Sequence, residues 1–196
     1  MKNLLILLIV LCSVLSGCRK GEDDPFLSIK TRTNRLCGKW KTVEYTKNVY
    51  SGSDENNCIM YEIILQNSEV KIFYNNAVVD SYMLTEEWEF TKEGKYKIDI
   101  NAQPFSENEE GTWAWNGKDK NSKLKKKEIV YLTTNNIIYN NGETQDEYSG
   151  KTLFPLYSIA IKRLTDKEMV VVYDYTEQSS ESGYYRMKSE QKLVKE

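Results

Sequence analysis

From Trp40 onward the chain alternates between apolar and polar residues. Trp88-Glu89-Phe90 and Tyr96-Lys97-Ile98-Asp99-Ile100 put an apolar side chain at every second position, the spacing of a strand with one buried face. Thr91-Lys92-Glu93-Gly94-Lys95 between them reads as a hairpin turn. The same period joins Tyr157, Ile159 and Ile161 to Met169, Val171, Tyr173 and Tyr175 through Thr165-Asp166-Lys167. Further strands are predicted over 39–45, 59–65, 70–74, 111–115, 128–133 and 184–193, with turn signals at Asn116-Gly117 and Asn140-Asn141-Gly142. The polar stretches 51–57 and 103–110 read as surface loops. No helical segment interrupts the strands to provide a crossover, so pairing is antiparallel. A closed meander, an all-β up-and-down barrel, disposes of the unpaired edges.

The first forty residues follow other rules. Lys2 precedes a greasy run from Leu4 to Leu15, then Leu15-Ser16-Gly17-Cys18. That run is shorter than the roughly twenty residues a spanning helix needs, and its charged tip and small residues mark an export signal. Leu15 to Cys18 resembles the lipobox of bacterial lipoproteins. The resemblance implies cleavage after Gly17, acylation of Cys18 and anchoring in a membrane, with Arg19 pointing to the outer membrane, facing the periplasm or the surface. The chain then divides into a signal peptide over 1–17, a charged tether over 18–24 and one domain over 25–196. Within that domain Asp24 and Pro25 set up a short helix toward Leu36, with Phe26, Leu27, Ile29 and Leu36 as its apolar contacts, ending at Gly38.

Charge and composition narrow the chemistry. Lys and Arg total 27 against 29 Asp and Glu, a formal charge of −2, which argues against a nucleic-acid partner. Aromatics at 12%, with 14 Tyr and 4 Trp, suit strands. There is no histidine in the sequence, which removes the commonest general base and metal ligand together. No nucleophile elbow, phosphate loop or spaced cysteine pair is present. The expectation is a non-enzymatic protein with no cofactor and no metal.

Of the four cysteines, Cys12 leaves with the signal and Cys18 takes the lipid. Cys37 and Cys58 remain as a candidate disulfide in an oxidising compartment. If they open successive antiparallel strands they lie at opposite ends of a hairpin, beyond the reach of a disulfide; a doubling back over 48–57 would rescue the bond.

Leu36-Cys37-Gly38-Lys39-Trp40, a helical turn leading into Gly-x-Trp at the first strand, resembles the signature of the lipocalins and wider calycins. Gly111-Thr112-Trp113-Ala114-Trp115 and the hairpin from Ile161 to Val170 are similar to lipocalin-like lipoproteins of Bacteroidota. The resemblance implies an eight-stranded barrel whose first tryptophan closes the bottom against the leading helix. Asp174-Tyr175 and Arg186 are the nearest counterparts of the family's acidic-tyrosine element and of the late arginine that stacks on its tryptophan.

Candidate sites follow. Trp40, Trp88, Phe90, Trp113 and Trp115 either line a ligand cavity or fill the barrel interior. The lysines from Lys118 to Lys127 could touch an anionic surface or simply keep an edge soluble. Glu86, Glu87 and Glu89, and Glu107, Glu109 and Glu110, form two acidic patches; alternation sends Glu87 and Glu89 to solvent, opposite Trp88 and Phe90. Asp54-Glu55-Asn56-Asn57 lacks the spacing of a calcium loop. Two expectations remain: a carrier for a small apolar or amphipathic ligand, or a module that meets a protein or glycan partner without an internal cavity.

Overall fold

The computed structural model describes residues 30–54, 56–116, 129–150, 157–179 and 183–196. The export signal, Cys18, the tether, the start of the expected helix, Glu55 and the lysine run from Lys118 to Lys127 lie outside the described residues. Among the described residues one short helix, α1 (Arg32–Leu36), precedes twelve strands: β1 (Gly38–Asp54), β2 (Asn57–Gln66), β3 (Glu69–Tyr74), β4 (Ala77–Met83), β5 (Thr85–Phe90), β6 (Lys95–Ala102), β7 (Phe105–Trp115), β8 (Ile129–Asn140), β9 (Gln145–Ser149), β10 (Tyr157–Leu164), β11 (Glu168–Ser179) and β12 (Gly183–Lys195).

All the pairings are antiparallel, and eight strands close a ring in the order β1, β12, β11, β10, β8, β7, β6, β5 and back to β1. The all-β barrel read from the alternation is therefore the architecture. Its two ends differ in construction. At one end β1 pairs β5 directly, Trp40 opposite Trp88. Farther along, β1 leaves β5 and runs instead against β2 from Glu44 to Asp54, so the β2–β3 hairpin is wedged into the wall. β4 continues into β5 through Leu84 and, among the described residues, pairs only β3. On the far side β8 exchanges β10 for β9 beyond Asn136. Among the described residues, β11 beyond Val172 keeps only β12 as a neighbour. The wall flares where strands are added and opens where they part.

The narrow end is packed solid. Trp40, Leu36, Val130, Leu132, Leu164, Met169 and Leu193 are fully buried, and Trp88, Phe90, Tyr96, Ile98 and Trp113 nearly so. Phe90 meets Trp113 edge to face at 6.0 Å, and Trp113 meets Trp115 the same way at 5.9 Å, the geometry aromatic quadrupoles favour. α1 plugs this end. Thr31 caps it by accepting from the Asn34 backbone at 3.2 Å. Arg32 and Arg35 are buried and donate to the carbonyls of Ile161 and Leu164 at the end of β10. The sequence reading made this helix an apolar contact. In its described part Leu36 is that contact, and two arginines pin the rest.

The Gly38-Lys39-Trp40 step has a specific cause. Gly38 sits at φ +129°, and a Cβ there would stand 2.6 Å from Cε of Lys195. Without one, Lys195 crosses the foot of β1, donates to the carbonyls of Arg35 and Cys37 at 2.8 and 2.6 Å, and places Nζ 4.9 Å from the Trp40 ring centroid. Trp40 Nε1 in turn donates to the Leu36 carbonyl at 2.7 Å. The cation on this tryptophan is Lys195. Arg186 instead pairs with Asp174 on the flared part of β11 and β12.

Several sequence expectations are corrected here. The segments expected as loops over 51–57 and 103–110 are mostly strand, the ends of β1 and β2 and the first half of β7. β4 and β9 were not foreseen. Cys37 and Cys58 are not bridged to each other. Cys37 stands at the foot of β1 and Cys58 faces Gly52 at its far end, a separation of tens of ångströms at about 3.3 Å per residue, whereas a disulfide needs alpha carbons within about 7 Å.

Candidate functional site

Moving outward from the packed end, the first interior layer is polar. Alternation on β5 turns Glu86 to the same side as Trp88 and Phe90, and its carboxylate is used there. Trp88 Nε1 donates to Oε1 at 2.7 Å and Gln191 Nε2 to Oε2 at 2.9 Å, while the same amide donates to Thr42 Oγ1 at 2.8 Å. On β7 Glu109 is buried, and the hydroxyls of Tyr96 and Thr134, 2.8 Å apart, both donate to its Oε1, Thr134 at 2.5 Å. Two hydroxyl donors aimed at one buried oxygen meet its demand for hydrogen bonds inside the barrel. Gly111, beside this cluster, admits the close approach: a Cβ there would collide with the Thr133 carbonyl at 2.1 Å and Tyr96 at 2.7 Å.

Above this layer the interior is no longer filled. Ile100 and Ala102 continue the inward register of Ile98. With Tyr82, Leu84, Gln103, Pro104 and Phe105 they line a largely apolar groove of about 500 Å³ between the free edge of β4 and the β6–β7 turn. That volume falls in the range of small-molecule sites. Tyrosines dominate the flared walls. Tyr61 stacks on Tyr74 at 5.3 Å, Tyr173 on Tyr175 at 6.3 Å, and Tyr185 lies 6.4 Å from Tyr175. Tyr45 is buried deeper, where burial foremost, and then Glu86, Tyr82 and Tyr185, push its phenol well above the ordinary value. It is a neutral hydroxyl at any physiological pH.

The five aromatic residues singled out from sequence do not line this groove. Trp40, Trp88, Phe90 and Trp113 pack the closed end and Trp115 lies half-buried against it, its Nε1 donating to Thr33 Oγ1 at 3.0 Å. Of the two acidic patches, Glu87 and Glu89 do face away from Trp88, while Glu86 and Glu109 are interior. The parity of Glu86 with Trp88 was the available signal. Asp54 caps the β1–β2 turn by accepting from the backbones of Asn56 and Asn57 at 2.9 and 3.0 Å, and those bonds, with the Asn57 amide first, hold its carboxyl below the usual range. Among the described residues no group of three metal-ligating side chains is assembled.

The open end thus offers an unfilled apolar groove, an aromatic approach to it and a polar floor beneath. No family model, curated protein or solved structure matches this chain.

Proposed function

We propose that this chain is a lipoprotein, anchored in the outer membrane through acylated Cys18, whose barrel takes the tail of a small apolar or amphipathic molecule into its open end and binds it without catalysis. The observation that carries this reading is the groove of about 500 Å³ at Tyr82, Leu84, Ile100, Ala102 and Phe105, left unfilled while the other end of the same barrel holds one contiguous cluster of buried apolar side chains. The leading helix on Trp40, and a late cation over that ring, support the resemblance to the lipocalins. The export pattern around Cys18 supports the anchor.

The test is a titration of the mature protein with dodecyl maltoside below its micelle threshold. A native-state ligand raises the melting temperature with concentration, so a rising Tm is expected, and it should vanish in Ala102→Trp, which fills the groove. A flat Tm would remove the carrier reading; binding that survives Ala102→Trp would put the ligand elsewhere. For the anchor, Cys18→Ser should abolish palmitate labelling and release the protein from membranes, and retention of both would refute it.

A second reading, a module for a protein partner, is favoured by β4. All its residues are exposed, Val78, Val79 and Met83 by more than half, and one edge has no neighbour among the described residues. Such an edge can accept an added strand. Val79→Lys would block that pairing and leave dodecyl maltoside binding intact.

A further inference from the structure

The wall of the open end is interrupted on one side, and a second cavity lies against the interruption. β5 and β6 pair from Phe90 and Tyr96 as far as Thr85 and Asn101, and there their ladder stops. One residue before Thr85, the Leu84 N–H donates to the Ser68 carbonyl at 2.8 Å, which holds the chain to the β2–β3 turn. β4 lies along β3 while β6 turns into β7, and among the described residues no pairing joins β4 to β6. A slot is left between the free edge of β4 and the β6–β7 turn.

Alternation assigns the two cavities to the two sides of this slot. Tyr82 shares the face of its buried register partner Val70, so Tyr82 and Leu84 point in while Met83 and Thr85 point out. On β6, Ile98, Ile100 and Ala102 point in and Asn101, opposite Thr85, points out. The groove of about 500 Å³ is lined by the inward set. A second cavity of about 310 Å³ is lined by the outward residues Met83, Thr85 and Asn101 together with Ser68, and it shares Leu84 and Gln103 with the groove. An apolar chamber inside and a polar one outside therefore meet at the same two residues.

The outer cavity has a definite chemistry. Ser68, Thr85, Asn101 and Gln103 bring hydroxyls and amides, which both donate and accept, and no charged side chain lines it. The next outward positions on β5 and β6 are Glu87 and Asp99, opposite each other and both acidic, so an anion finds no cation in the cavity or next along its two strands. A head that stays in this wet, exposed cavity also avoids the cost of burying polar groups in the groove.

Resting on the carrier reading above, we propose that the ligand is an amphiphile with an uncharged, hydroxyl-rich head, such as a glycolipid, bound through the slot. Its tail lies inside against Ile100 and Ala102, its neck passes between Leu84 and Gln103, and its head hydrogen-bonds Thr85 and Asn101 outside. Entry from the side requires no ladder to open, because none crosses the slot.

The test is isothermal titration of the mature protein with three probes that share a dodecyl tail, below their micelle thresholds: dodecyl maltoside, dodecanoate and dodecyltrimethylammonium. The maltoside should bind about fivefold or more tighter than either charged probe, the worth of one or two neutral hydrogen bonds. Thr85→Val and Asn101→Leu should each weaken the maltoside by about threefold to tenfold and leave the charged probes unchanged. Asn101→Arg should reverse the order, tightening dodecanoate about tenfold, because a cation at the head position then meets its carboxylate. Both positions are exposed, so the variants should melt with the parent; if one does not fold, the others decide. A maltoside no tighter than the charged probes, or variants at both positions that leave all three probes unchanged, overturns the inference, and the carrier reading then still stands on loss of binding in Ala102→Trp. If no probe binds the parent protein, both readings fall together.

Discussion

The two ends of this barrel are built from the same strands and obey different rules. At the closed end β1, β5, β6, β7, β8, β10, β11 and β12 turn large apolar side chains into one contiguous cluster, and Trp40 is 0% exposed. Two turns of pleat farther along, the same inward register carries Lys47, Glu107, Tyr61 at 37% and Tyr175 at 40% exposure. The difference is one of strand number. Eight strands make a lumen that side chains can fill; wedging β2 and β3 between β1 and β4 widens the circumference beyond what side chains can span. The closed end supplies stability, which frees the open end to carry charges and cavities that a marginal fold could not tolerate.

The sharpest way to break that division is to truncate one aromatic residue at each end. Trp40→Ala should cost about 3–5 kcal/mol, the range for removing a large buried ring and leaving a cavity, and it also strands Lys195 and the Leu36 carbonyl. Tyr82→Ala in the groove wall should cost about 1 kcal/mol or less, as a surface-type change. Urea unfolding of both variants decides the matter. Comparable losses would mean that the open end is as much core as the closed one.

The polar layer between the two ends comes next. Glu109→Gln replaces an acceptor of two hydroxyl donors by an amide with one acceptor oxygen and two unwanted donors, so a loss of about 1–3 kcal/mol is expected from the groups left unsatisfied. Thermal melts of Glu109→Gln beside Glu87→Gln, whose site faces solvent, provide the control. If both variants melt with the parent, Glu109 is not the hub the geometry makes it.

At the foot of the barrel, Lys195→Met removes two hydrogen bonds to the carbonyls of Arg35 and Cys37 and the cation over Trp40. Partial exposure reduces what each is worth, and the expected loss is about 1–2 kcal/mol. Lys195→Arg should recover part of it, because a guanidinium offers donors and a face to the same ring. Equal stability of the Met and Arg variants would reduce Lys195 to a bystander of Gly38.

How far the sequence foretold this molecule follows the same division. At the closed end the inward faces are apolar, so the alternation in Trp88 to Phe90, Tyr96 to Ile100 and Met169 to Val171 announces the strands directly. The Gly38-Lys39-Trp40 step gave the place of the helix and tryptophan, though nothing in the spacing pointed to Lys195, whose role depends on a contact across the chain. At the open end the signal disappears because the physics that writes it is absent. Ala77 to Met83 lies exposed on both faces and shows no period, and Ser106-Glu107-Asn108-Glu109-Glu110 turns carboxylates inward, so a strand looks like a polar loop. The candidate site is illegible for a physical reason: its inner surface is not committed to the protein's own core.

The smallest expected effect tests that last point on a single atom group. Glu107 has a folded-state pKa raised above its ordinary 4.5, so the folded protein holds this proton more tightly than the unfolded chain does. Its contribution to stability is fully present below about 4.5 and is lost as pH rises through the raised folded value. Glu107→Gln keeps the shape and deletes the titration, while Glu109 and Glu86, the charges that act on it, are the same in both proteins. Parent and variant should therefore differ little in melting temperature below the carboxyl's unfolded value, and the variant should melt slightly higher at neutral pH, by a degree or two on the scale expected for a fraction of a kcal/mol. A variant that instead melts lower at neutral pH would mean that the Glu107 charge has a favourable partner in the folded state, and the open end would then be as internally satisfied as the closed one.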